Sequence, residues 1–283
     1  MSIHEASCRL RRMTLGDVKI AYKDEGNHGG SKAPIICIHG SWDDHHSWDG
    51  VAENLSADFR VITYDRRGHS ASTTVAGQGH LCEDVADVLA FMEGLNIASA
   101  HIVGHSYGAN VAIALAGGYP GVVRSLFVHE PPLFSLLNGT ETLEALRNTA
   151  VEYMKDVADL IEKGAIEEAA RIFIEKVAFG EGSWLNLFDE RARTVILSNV
   201  DSWLDQFRDP ERLAVDVVAL EDYPHKFTLS TGTNTLTTYS EVVRLIVEML
   251  PMVQVVKIEG GGHGGHISHP QIMSEAIRMH VSN

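Results

Sequence analysis

The sequence predicts an α/β architecture: a mostly parallel eight-stranded sheet with helices on both faces and a helical cap inserted after the sixth strand. Three observations lead there. Short runs that are apolar throughout alternate with helical patterns over residues 13–129; over residues 131–224 the strand runs stop and amphipathic helical patterns follow one another; from residue 227 the alternation resumes. A strand can dispense with polar positions only when both of its faces are covered, so apolar runs separated by helices imply a parallel sheet between two layers.

The elements follow in order. Residues 9–15 and 18–22 read as a hairpin turning at Gly16-Asp17, glycine and aspartate being residues that tight turns favour. Runs at 34–38, 61–64, 100–103 and 122–128 read as the third to sixth strands, with helices at 48–55, 83–95 and 107–118 between them. In the cap, 142–163 and 165–179 carry the apolar spacing of amphipathic helices. A strand at 227–230, a helix at 239–250, a strand at 253–258 and a last helix opening at Pro270 complete the chain. The expected organisation is a core domain in two parts, residues 1–130 and 225–283, and a cap domain of residues 131–224.

Composition narrows the functional classes. With 45% hydrophobic residues the chain holds enough apolar mass for a large core, and its formal net charge of −15 should repel nucleic acid and anionic lipid. The expected partner is a small-molecule substrate, met by a monomer or a homo-oligomer. The opening MSIHEASCRLRRM has no apolar stretch of the secretory kind, and no eighteen uncharged apolar residues occur in a row. Cys8, Cys37 and Cys82 are odd in number and scattered, which suits reduced thiols. A cytoplasmic protein is the expectation.

The chemistry concentrates at four places. The run 100–103 leads into Gly104-His105-Ser106-Tyr107-Gly108, and a helical pattern starts at once. A serine on such a strand-to-helix turn is held in a strained backbone with its hydroxyl raised, and small residues must flank it where strand and helix converge. Ser106 is therefore the expected nucleophile. His263, in Gly260-Gly261-Gly262-His263 beyond the final strand, can reach across the carboxyl ends of the sheet and serve as its base. For the oxyanion, the amide of Tyr107 and that of Ser41, in His39-Gly40-Ser41-Trp42 after the third strand, are the expected donors.

These motifs, His39-Gly40, Asp65-Arg66-Arg67-Gly68, Gly104-His105-Ser106-Tyr107-Gly108 and Gly262-His263, occur in the order seen in α/β-hydrolases, and the chain resembles that family over nearly its whole length. It departs at Ser70, where many members have glycine. Serine rather than aspartate at position 106 separates it from the haloalkane dehalogenase and epoxide hydrolase branches. The resemblance implies a triad acid after the seventh strand, but the loop there reads Gly232-Thr233-Asn234-Thr235, without a carboxylate. Glu130, in Val128-His129-Glu130-Pro131-Pro132, ends the sixth strand instead, an arrangement similar to that of the zearalenone lactone hydrolases. Asn234 and Asp222 are the rival partners for the base.

Other residues have plainer readings. His263, His266 and His269 are spaced by three and His45-His46 add imidazole, yet the glycines among them hold the first set loosely, so no metal is expected. No cofactor is implied. Trp184 and Trp203 lie in the cap; Trp184, preceded by Gly182-Ser183, is the expected substrate-binding aromatic. The leading expectation is a serine hydrolase cleaving a carboxylic ester or lactone through an acyl-enzyme, with a macrocyclic lactone as one substrate the resemblance implies. A C–C bond hydrolase with the same triad, and a ligand receptor on a hydrolase fold, are the alternatives.

Overall fold

The computed structural model describes residues 9–30, 32–73, 79–210, 212 and 215–282. Cys8 falls outside them. Eight strands, β1 (Arg11–Leu15), β2 (Val18–Gly26), β3 (Ile35–Ile38), β4 (Arg60–Tyr64), β5 (Ala100–His105), β6 (Val123–His129), β7 (Phe227–Gly232) and β8 (Gln254–Ile258), form one sheet in the order β1-β2-β4-β3-β5-β6-β7-β8. β1 and β2 pair antiparallel, β2 joins β4 antiparallel, and every pairing from β4 to β8 is parallel. The expected strands are present with ends moved by a few residues. Central strands such as β3, Ile-Ile-Cys-Ile, are buried at every position, which is why their sequence carries no alternation.

Each face of the sheet is covered. On one, α1 (Asp49–Leu55) and the C-terminal helix pack Val51, Leu55, Met273 and Ile277 against Ile35, Val61, Val103 and Phe127. On the other, α2 (Leu81–Gly94) and α3 (Tyr107–Gly118) bring Val88, Phe91, Val111 and Leu115 onto Ile36, Ile62 and Ile102.

Between β6 and β7 come α4 (Glu141–Glu162), α5 (Ile166–Ile172), α6 (Ser183–Asn186), α7 (Glu190–Ser198) and α8 (Val200–Arg208). Thr140 caps α4 by accepting from the Leu143 amide, and Asp189 caps α7 by accepting from the Ala192 amide. The single helix expected over 165–179 differs: α5 widens into a π-helical turn at Phe173–Ala178. After β7, α9 (Thr237–Met249), α10 (Gly265–Ser268) and α11 (Pro270–Val281) complete the fold. Among the described residues no helix is long and apolar enough to cross a membrane.

A close backbone contact in this framework joins α3 to β3. A Cβ on Gly108 would collide with the carbonyl oxygens of Ile38 and His39. Gly108→Ala must push α3 off the sheet, and overpacking of that kind costs about 2–3 kcal/mol. The expected outcome is a melting temperature lower by roughly 5–10 °C in thermal denaturation; an unchanged value would refute the close approach.

Candidate active site

Ser106 occupies the turn between β5 and α3 at φ 52° and ψ −123°, a conformation that costs a non-glycine residue energy unless its surroundings enforce it. They do so on both sides. The Ser106 amide donates to the His129 carbonyl at 3.0 Å, tying the turn to β6, and the Ser106 carbonyl accepts from Ala109 at 2.8 Å, starting the helix. A Cβ on Gly104 would lie 2.5 Å from the Gly108 carbonyl oxygen, so neither glycine position has room for a side chain. Tyr107, as the first residue of α3, has an amide without an intrahelical acceptor. Ser41 lines the same cavity as Ser106 and Tyr107, on the loop after β3, where Gly40 lies so close that an added Cβ would stand 3.0 Å from that of Ser106.

His263 follows β8, and its Nδ1–H donates to Glu130 Oε2 at 2.9 Å; both side chains are fully buried. Glu130 leaves β6 at φ 47°, another positive value in a residue with a side chain, and Pro131 follows it. Its carboxylate also accepts from Thr231 Oγ1 at 2.9 Å, the Gly232 amide at 2.8 Å and Thr235 Oγ1 at 2.8 Å. Burial alone would raise the Glu130 pKa. The His263 bond, the imidazoles of His129 and His263 and the Gly232 amide outweigh it and hold the pKa at about 2. For His263 the balance is the reverse: burial lowers its pKa, and Glu130 only partly restores it. Tyr239 lies against the His263 ring, stacked at 3.9 Å between centroids, and both Tyr239 and Ser106 line one cavity.

The rival acids stand elsewhere. Asn234 donates to the Gly260 carbonyl at 3.1 Å and serves the loop, and Asp222 is exposed in a turn before β7. The motif 65–68 turns out to brace the Ser41 loop. Asp65, buried after β4, accepts from the His45 amide at 2.9 Å and from His45 Nδ1 at 2.6 Å, while the Arg66 amide donates to His39 Nε2 at 2.9 Å. Ser70 has φ 43°, which explains why glycine suits this position, and its amide donates to Asn199 Oδ1 at 2.7 Å.

Above Ser106 the cavity is walled by Met154, Phe173, Val177, Trp203 and Phe207 from the helices between β6 and β7. Trp203, and not Trp184, is the tryptophan at this wall. Trp184 is buried within those helices, with the Arg193 guanidinium 6.0 Å from its ring. A glycine neighbour was a poor guide here, since the short α6 turns the Trp184 side chain into packing; the strong amphipathic face of α8, which carries Trp203, was the better signal. Thr231 and Thr235, which donate to Glu130, and Tyr239, which stacks on His263, carry no motif in the sequence, since their meeting depends on how β7 and the segments after it pack beside β6.

The histidines of the 263–269 segment part company: His263 meets Glu130, while His269 Nδ1 pairs with Ser268 Oγ at 2.8 Å. His266 instead lies beside His105, rings 4.1 Å apart, and with Asp43 they offer one ligand atom each within 4.8 Å of one another. Ligand atoms around a zinc ion with bonds of about 2.0–2.1 Å lie closer together, at roughly 3.3 Å. Asp44, His45 and His46 form a second such group, but their atoms are engaged: His46 donates to Asp44, and His45 to Asp65.

A parallel sheet of this order, a serine on a strained strand-to-helix turn, and a buried imidazole–carboxylate pair at the same sheet edge define the α/β-hydrolase class. The model of the α/β-hydrolase fold matches residues 33–270, and the chain belongs to that family. The RutD protein of Caulobacter vibrioides, named as a carbamate hydrolase, is 24% identical over 283 residues, covering 95% of this chain and 97% of its own. The zearalenone hydrolase of Bionectria ochroleuca is 23% identical over 261 residues, covering 88% and 89%. A solved hydrolase from Pseudomonas aeruginosa PA01 has the same fold, with a TM-score of 0.78 at 22% identity over 97% of this chain and 99% of the other.

The opposed influences on His263 give a physical test. Because Glu130 is the group that raises the imidazole pKa, Glu130→Gln should lower it further below 6.5. Imidazole titration by NMR reads this directly, and a rise in the mutant would contradict the pairing. Glu130 also links stability to pH: its folded pKa lies below the ordinary 4.5, so its contribution is present above that value and is lost as pH falls towards 2. Acid unfolding of Glu130→Gln should be correspondingly less steep.

Proposed function

We propose that this protein is a serine hydrolase of carboxylic esters or lactones. The observation that carries the reading is the Glu130–His263 pair, a base with its tautomer fixed, stacked against Tyr239, which lines the same cavity as Ser106. With Nδ1–H given to Glu130, the free Nε2 of His263 is left to accept a proton. Ser106 attacks the carbonyl carbon as its proton passes to Nε2, and the amides of Ser41 and Tyr107 receive the oxyanion. The imidazolium then returns the proton to the leaving alcohol. A water, deprotonated by the same imidazole, cleaves the acyl-enzyme and frees the acid. In a lactone the leaving alcohol stays tethered to the acyl group, and one ring-opened hydroxy acid results.

The wall of Phe134, Phe173, Trp203, Phe207 and Met154 favours an apolar body on the substrate, and the relative named zearalenone hydrolase supports a lactone among the candidates. The free thiols of Cys37 and Cys82 fit a reducing cytoplasm.

A screen over aryl esters, simple lactones and macrocyclic lactones tests the reading, with a fluorophosphonate to label the nucleophile. Ser106→Ala should lose labelling and about 10⁴-fold or more of turnover; retention of a tenth of the activity would require another nucleophile. Glu130→Gln should cut kcat by orders of magnitude while Asp222→Asn changes it little, and the opposite pattern would overturn the acid assignment. kcat/KM should rise with pH through one ionisation below 6.5, the direction in which burial moves His263, because only the neutral ring accepts the serine proton. A profile falling between pH 5 and 8 would refute the base.

A further inference from the structure

Among the described residues one cation lines the cavity of Ser106. Arg212, on the segment after α8, lines it together with Tyr107, Gln206 and eight apolar or aromatic side chains. Arg212 is placed by its backbone and by one donor. Its carbonyl accepts from Asn110 Nδ2 at 3.3 Å, one turn into α3, and its NH1 donates to the Asp209 carbonyl at 3.0 Å, capping the end of α8. The guanidinium also lies over the Phe207 ring, 4.5 Å from its centroid. A cap of this kind uses one of five N–H donors. Among the described residues Arg212 makes no salt bridge, the Asp209 charge acting on it only at longer range, although the chain as a whole is strongly acidic.

A second unsatisfied group stands next to it. Tyr107 lines the same cavity, and its hydroxyl is buried and has no hydrogen-bond partner among the described residues. Buried polar groups left without partners are costly, and when they converge on a ligand cavity the missing partner is most simply part of the ligand. Desolvation pulls the Arg212 pKa down from its ordinary value, opposed by Asp209 and Tyr107, so the cation is already partly stripped of water. The neighbouring Arg66 differs: it is fully buried but held by Asp84 at 3.0 Å.

We propose that the substrate carries an anionic group, a carboxylate or a comparable oxyanion, which Arg212 and the Tyr107 hydroxyl bind while its ester or lactone carbonyl lies at Ser106. The inference rests on the ester or lactone hydrolase reading and narrows it to substrates with an apolar body and one acidic substituent. The aromatic wall takes the body; the guanidinium fork takes the two oxygens of the anion.

Matched ester pairs test it. One pair places the charge on the acyl side, 4-nitrophenyl adipate against 4-nitrophenyl hexanoate; the other places it on the alcohol side, 4-carboxyphenyl hexanoate against phenyl hexanoate. The wild type should favour the anionic member of at least one pair by about ten- to hundredfold in kcat/KM, mainly through KM. Arg212→Gln should collapse that ratio to near one, and Arg212→Lys, which keeps the charge but not the fork, should retain part of it. A ratio near one in the wild type for both pairs, or a preference that survives Arg212→Gln, overturns the proposal. Calorimetric binding of both pairs to the Ser106→Ala protein separates the two readings. Absent turnover by the wild type refutes the hydrolase function, whereas the same anion preference in binding, lost in Ser106→Ala combined with Arg212→Gln, upholds the anion site; equal binding of charged and neutral members overturns it.

Discussion

The carboxylate of Glu130 is fully buried, and an ionised group in that position is tolerated only when the protein replaces its water. Three elements do so. β7 supplies the Thr231 hydroxyl and the Gly232 amide, the loop after β7 supplies the Thr235 hydroxyl, and the loop after β8 supplies the His263 ring. Such convergence requires β6, β7 and β8 to be parallel neighbours in register, because a one-residue slip would turn Thr231 to the other face. The same network fixes the imidazole tautomer. Sheet topology, charge burial and the orientation of the base are therefore one constraint.

The helices between β6 and β7 are bound to the chemistry through the loops they cover. Trp42, at φ 64° beside the expected oxyanion donor, is fully buried and stacks on Phe173 of the π-helical turn and against Trp203 of α8. Asn199 donates to the Asp43 carbonyl at 3.0 Å, and the Ser202 hydroxyl donates to the Gly68 carbonyl. Widening the helix at Phe173–Ala178 shifts the facing of its side chains, and Phe173 and Val177 both reach the cavity wall. The segment that shapes the pocket thus also braces the loop that carries Ser41.

Much of this was legible in the sequence wherever the signal is local. Gly104-His105-Ser106-Tyr107-Gly108 fixes its own conformation, so the turn and α3 could be read from residue types, with α3 bounded as the pattern implies. The unbroken apolar runs of β3 and β5 likewise state their burial. What could not be read depends on register or on helix assembly. The loop 232–235 looked like a site that had lost its acid, whereas Gly232 and Thr235 are donors to an acid that arrives from the neighbouring strand. Trp184 and Trp203 are both buried tryptophans of short helices, and only the three-dimensional packing of α6 and α8 separates filler from wall. The π-helical turn has no sequence mark that distinguishes it from a continued α-helix.

The histidines around His263 complete the electrostatic argument. His105 and His266 are buried, and desolvation, reinforced by the neighbouring imidazoles, drives both pKa values well below the ordinary range. Both rings therefore remain neutral at physiological pH. A proton arriving on His263 finds no cation among them to repel it, and it finds the Glu130 carboxylate at 2.9 Å. In a low-dielectric interior that single attraction is felt strongly. Had His105 or His266 carried charge, the imidazolium on His263 would be opposed from within 5 Å, since the His105 ring lies 4.6 Å away. Packing neutral imidazoles around the base leaves Glu130 as the group that stabilises a charged His263 ring, while the same burial keeps the His263 pKa below its ordinary value.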